Sequence, residues 1–146
     1  MGRIVVGMEG SDGARAALRW ALQEADLREC AVEVVTAYTQ SAVPLYPELG
    51  YVSPEPTRLV DEITRMQEQV ITDELERRPT TIEVTRSILE GRPASTLVRA
   101  SEGADLLVVG SRGRGGFRGL ALGSVSHQLA QHSACPVVIV RADEHW

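Results

Sequence analysis

A chain of 146 residues, 43% hydrophobic and 24% charged, has the length of one domain over residues 1–146, and at this size burial of roughly 68–70% of the unfolded surface needs no covalent staples. The formal net charge of -5 disfavours generic nucleic-acid binding, and all 15 basic residues are arginine. Two cysteines, Cys30 and Cys135, fit neither a disulfide framework nor a zinc pattern and read as small buried residues, while no leader and no apolar run near the ~18 residues of a membrane span is visible; the expectation is a soluble, cytoplasmic protein without membrane partners.

The chain alternates strand and helix five times. Arg3 to Gly7 (RIVVG) reads as a buried strand, and Glu9, Gly10 and Ser11 as the turn at its C-terminal end, with Ser11 or Asp12 placed to cap the next helix. Ala14, Ala17, Leu18, Ala21, Leu22 and Ala25 share one helical face, small enough for close docking on a sheet, and Trp20 lies off that stripe as an edge cover. Ala31 to Tyr38 is the second strand. From Thr39 to Pro56 periodicity is lost and four prolines gather, so the segment reads as a lid or a disordered loop leaving a strand end. A long helix follows, with Leu59, Ile63, Met66 and Val70 toward the sheet and Asp61, Glu62, Glu68, Asp73, Glu74 and Glu76 on a wet face. Pro79 stops it. Ile82, Val84, Arg86 and Ile88 alternate with polar residues as an edge strand, and Pro93 opens a short helix to about Glu102.

The stretch from Ala104 to Ser126 organises the rest. Leu106 to Val109 is a short apolar strand ending at Gly110, after which Gly110, Gly113, Gly115, Gly116 and Gly119 permit close backbone approach while Arg112, Arg114 and Arg118 stand with no acid between Ser111 and Ser126. Gly123 and Ser124 then precede a helix, Val125 to His132, whose N-terminus, capped by Ser124, directs free N–H groups at the loop. Such a loop suits a phosphate. It is not a Walker A loop, which needs a lysine, and Arg118 stands where the dinucleotide fingerprint needs its third glycine. A last strand, Val137 to Arg141, completes a parallel, doubly wound sheet with right-handed crossovers and helices on both faces.

The spacing Gly110, two residues, Gly113, nine residues, Gly123, Ser124 resembles the universal stress protein family in its ATP-binding branch, whose phosphate motif is G-x2-G-x9-G-(S/T). The opening RIVVGMEGS and the closing SVSHQLAQHSACPVVIVR are similar to the same family, so the resemblance covers essentially the whole chain. It implies a Rossmann-like sheet of the adenine nucleotide alpha hydrolase type in strand order 3-2-1-4-5, with a ligand crevice at the switch point between strands 1 and 4. It also implies an adenine nucleotide, ATP with magnesium, held by Gly110, Ser111, Arg112, Gly113, Arg114, Gly115, Gly116, Gly123, Ser124, Val125 and Ser126 at the phosphates, Ser124 and Ser126 adding hydroxyls. Adenine would bond the backbone at Ala37, next to Thr36, and pack near Gly7. Ribose would meet Glu9, which replaces the family aspartate and adds a methylene; Glu9 and Asp12 are the nearest acids to a metal carried by the phosphates. Pairing of Val137 to Arg141 with a second copy would make a homodimer, since the apolar edge PVVIVR carries no lysine to guard it. The role the resemblance implies is a nucleotide-sensing or regulatory module in stress response.

Three other readings compete. RGRGGFRG is similar to an arginine–glycine RNA box, but it is a single copy between a strand and a helix in an acidic chain with one phenylalanine. An enzyme, at most a slow ATP hydrolase or phosphotransfer catalyst, finds no nucleophile beside His127 and His132, which lie five residues apart on different helix faces. A glycine loop that only packs elements closely would leave a dimeric interaction module without nucleotide.

Overall fold

The computed structural model describes residues 2–40, 56–112 and 122–142. Its elements run β1 (Arg3–Gly7), α1 (Asp12–Arg28), β2 (Ala31–Tyr38), α2 (Pro56–Arg77), β3 (Val84–Glu90), α3 (Pro93–Ala100), β4 (Leu106–Gly110), α4 (Ser124–His132) and β5 (Val137–Val140). The strands form one five-stranded sheet in the order β3-β2-β1-β4-β5, every neighbouring pair parallel. The strand order and the helices on both faces are those expected, and the change of direction between β1 and β4 puts a crevice at their C-terminal ends.

Alternation along the strands supplies two cores. Ile4, Val6, Val32, Val34, Leu106 and Val108 face Ala14, Ala17, Leu18, Ala21 and Ala25 of α1 on one side. Val5, Val35, Leu107 and Val109 face Leu97 of α3 and Leu129 of α4 on the other. Central strands buried on both faces need apolar side chains at consecutive positions, which is why LLVVG and RIVVG read as unbroken runs. Ser11 caps α1, its hydroxyl accepting from the Ala14 N–H at 3.1 Å, and Pro93 occupies the first turn of α3. Trp20 is half-buried against the α1 side of the core, in keeping with a packing role. Cys30 is buried, where desolvation raises its thiol pKa, and Cys135 is half-buried.

Several expectations are corrected. Glu74 does not lie on a wet face: it is 3% exposed and accepts from Arg19 Nε at 3.0 Å and Nη2 at 2.8 Å, because α1 presents a guanidinium to α2 across their contact. Arg86, on the same face of β3 as Val84, is exposed at the margin and pairs with Glu68 of α2 at 3.2 Å, and on the opposite face the half-buried Ser87 donates to Glu33 Oε2 at 2.7 Å. The strand begins at Val84 rather than Ile82, and α3 ends at Ala100, short of Glu102. The loop expected over Thr39–Pro56 lies, for residues 41–55, outside the described residues. Among the described residues no helix is long and apolar enough to cross a membrane.

Candidate functional site

At the end of β1, Gly7 is fully enclosed: an added Cβ would stand 2.9 Å from Leu97 Cδ1 and 3.1 Å from Val109 Cγ1. Its small size is therefore a requirement of the core beneath the crevice. The next residue, Met8, ties two strand ends together, its N–H donating to Val35 O at 2.9 Å and its carbonyl accepting from Thr36 Oγ1 at 2.7 Å. Thr36 in turn accepts from Gln67 Nε2 of α2 at 2.9 Å, and the same amide nitrogen donates to Ser87 O of β3 at 3.0 Å. Gln67 is wholly buried, and its Oε1 has no hydrogen-bond partner among the described residues. Ala37, half-buried, follows Thr36 in β2.

Glu9 is exposed and folded back on its own turn: Oε1 accepts the Ser11 N–H at 3.0 Å and is also in contact with the Ser11 hydroxyl. Gly10 completes this turn with φ 91, a backbone region glycine enters at no steric cost. A ribose at Glu9 competes with that turn. Asp12 is exposed in the first turn of α1. Among the described residues no cluster of three or more metal-ligating side chains occurs.

The β4 end is held by main chain. Ser111 is 6% exposed; its N–H donates to Val140 O at 2.8 Å, and its carbonyl accepts both Gly123 N–H at 2.6 Å and Ser126 Oγ at 2.9 Å. The entry and exit of the glycine-rich loop are thereby clamped on one carbonyl. Gly110 lies against α1, where an added Cβ would meet Gly13 C at 2.7 Å and Gly13 O at 2.9 Å. Ser124 is not the N-cap of α4. Gly123 is, in an extended conformation with φ -73 and ψ 168, because its N–H is drawn to Ser111 and leaves Ser124 as the first helical residue, exposed. Ser126 is buried, and its hydroxyl donates to Ser111 O and, at 3.1 Å, is in contact with Gly123 O, bracing the start of α4 against the end of β4. Val125 is half-buried against the α4 side of the core. Arg112 is half-buried at the start of the loop, and Gly113, Arg114, Gly115 and Gly116 lie outside the described residues.

The structure thus gathers Gly7, Glu9, Gly110, Ser111, Gly123, Ser124 and Ser126 at the carboxyl ends of β1 and β4, with Ala37 at the neighbouring end of β2. His127 and His132 are exposed on α4. Residues that sequence reasoning missed are Gln67 and Gly13. Gln67 sits among polar helix residues with nothing local to mark it; Gly13 carries a signal, since a glycine in the first turn of a helix has no capping reason to be there.

Fold and crevice together define a doubly wound α/β protein with a ligand cleft at its switch point. The universal stress protein family model matches residues 1–141, and the chain belongs to that family. A universal stress protein of Mycobacterium tuberculosis (strain ATCC 25618 / H37Rv) is 34% identical over 142 residues, covering 94% of this chain and 44% of the relative. The chain thus spans under half the length of that relative. A universal stress protein crystallised in complex with cAMP is similar with TM-score 0.70 at 28% identity, covering 97% of this chain and 98% of that one. UspA from Lactobacillus plantarum shares the fold with TM-score 0.77 at 22% identity, over 96% of this chain and 97% of that chain.

Proposed function

We propose that this chain binds an adenine nucleotide, ATP before others, across the carboxyl ends of β1, β2 and β4, and acts as a nucleotide-sensing module in a stress response. The observation that carries this reading is the clamp at Ser111, which sets the N-terminus of α4 against the start of a loop with three arginines and no acid. Helix N–H groups and main-chain donors aimed at one point bind anions, and the family member of 28% identity crystallised with cAMP supports the same ligand class. Main-chain groups from Gly110 to Gly116, with Gly123 and Ser124, take the phosphates. Ala37 takes the base by its backbone, and Glu9 takes the ribose after releasing Ser11. A magnesium ion rides on the phosphates.

The chain binds ATP better than it hydrolyses it. Fast phosphoryl transfer needs a positioned water, a group to orient it and a well-held metal. No carboxylate lies between Ser111 and Ser126, and Glu9 is already bonded to its own turn. Calorimetric titration of ATP, ADP, AMP and cAMP tests the reading, with one site per chain expected. A folded protein that takes up none of the four contradicts it.

Assembly is proposed on β5, whose Val137, Val138 and Ile139 are only half-buried at the sheet edge. Antiparallel pairing with a second copy covers them. Sedimentation at micromolar concentration is expected to show a dimer, and Val138→Pro to shift it to monomer.

A further inference from the structure

We propose that Gly13, in the first turn of α1, is a positioning residue for phosphate binding, the missing side chain letting the helix back the Arg112 carbonyl and so fixing where β4 passes into the glycine-rich loop. The inference rests on the nucleotide reading above. Gly13 is buried and lies within α1. Its φ is not among the positive values, so no left-handed conformation demands glycine there. Glycine inside a helix costs stability relative to alanine, so a compensating reason must lie outside the helix. It lies in the contact: an added Cβ would stand 2.8 Å from Arg112 O and 3.7 Å from Gly110 Cα, while a Cβ on Gly110 would strike Gly13 C at 2.7 Å. Two glycines, one from each element, let the backbones touch.

What they hold is the rim of the phosphate site. Ser111 stands between Gly110 and Arg112, and its carbonyl carries Gly123 and Ser126. A displacement of Arg112 by the few tenths of an ångström that a methyl group requires passes directly to that carbonyl and to the start of α4. The base end is attached elsewhere, through Met8, Thr36 and Gln67, and has no contact of this kind with Gly13. The account therefore makes the effect selective for the phosphates.

The test is calorimetric titration of ATP and of adenosine into wild-type and Gly13→Ala protein, with circular dichroism to verify folding. The expected result is a loss of ATP affinity of about tenfold or more in the variant, the scale of an overpacked backbone contact, with adenosine affinity unchanged. A merely structural role would move both ligands alike, and an unchanged ratio of the two affinities overturns the role of Gly13 while leaving nucleotide binding intact. Wild-type protein that binds neither ligand overturns the nucleotide reading itself. Should Gly13→Ala fail to fold, Ser126→Ala loosens the same rim without adding volume; it is expected to show the same ATP-selective loss, and equal loss for both ligands overturns the proposal.

Discussion

The two ends of the crevice are made differently. The end proposed for the phosphates is main chain: Gly110 against Gly13, and the Ser111 carbonyl receiving Gly123 and Ser126. The end proposed for the base is side chain: Thr36 bonded to Met8, and Gln67 reaching from α2 to Thr36 and Ser87. Main-chain construction leaves glycines at fixed spacing, because only glycine lets backbones approach so closely. Side-chain construction leaves single polar residues scattered through the chain, each unremarkable alone. The difference explains both what the sequence discloses and how each end should fail.

Substitutions at the phosphate end should be the more severe. Gly110→Val forces a branched side chain into the backbone of Gly13, and an expected destabilisation of about 3 kcal/mol, read by chemical denaturation, accompanies loss of ATP binding. A Gly110→Val protein as stable as wild type would break the claim of close backbone contact. Next comes the base end. Thr36→Val keeps the volume but removes the donor to Met8 and the acceptor for Gln67, so stability should fall by about 1–2 kcal/mol while the ratio of ATP to adenosine affinity holds. A selective loss of ATP affinity in Thr36→Val would erase the distinction between the two ends.

Smaller still is Glu9→Ala. The carboxylate must leave Ser11 before it can meet a ribose, so the net gain it offers a nucleotide is small, and ATP affinity should drop by about threefold to tenfold, the scale of one hydrogen bond. Total loss of binding would make Glu9 a principal anchor. The smallest effect lies outside the crevice, at Asp73, whose pKa is lowered by the hydrogen bond from Arg15 and then by that from Gln69. A carboxylate depressed in the folded state contributes stability above its unfolded pKa that is lost as pH falls through the folded value. Arg15→Gln should thus lower the melting temperature slightly at neutral pH, where that contribution is fully present, and the difference from wild type should vanish at pH below the folded Asp73 value.

Strands and helices were open to sequence reasoning because buried parallel strands are continuous apolar runs and α1 announces itself by alanines at helical spacing, whereas the sheet order was legible only through the family resemblance. The glycine-rich loop stood out in the sequence by its glycines, and its residues 113–121 lie outside the described residues. The contacts at its exit did not stand out: Gly123 caps α4 in place of Ser124 because the Ser111 carbonyl draws its N–H, a contact between residues 12 positions apart with no local mark. The bond from the Ser126 hydroxyl to Ser111 O, between residues 15 positions apart, has no local mark either. Glu74 looked solvated because its partner, Arg19, belongs to another helix, and Gln67 carried no mark because its partners, Thr36 and Ser87, lie on the strands that α2 packs against. Removing Arg19 leaves a buried carboxylate whose remaining cation among the described residues is Arg77 at 3.7 Å; Arg19→Ala should cost about 3 kcal/mol by denaturation, with no change in nucleotide affinity.

The central claim is that main-chain donors at the β4 end and the N-terminus of α4 bind the phosphates of an adenine nucleotide. Calorimetric titration of ATP into the wild-type protein and into Ser124→Tyr tests it most directly, since Ser124 is exposed at the first position of α4 and a tyrosine there covers the helix N-terminus without entering the core. Saturable one-site binding by wild type, abolished in a Ser124→Tyr protein that melts normally, is the predicted result. Equal ATP affinity in the two proteins, or no binding by the folded wild type, would contradict it.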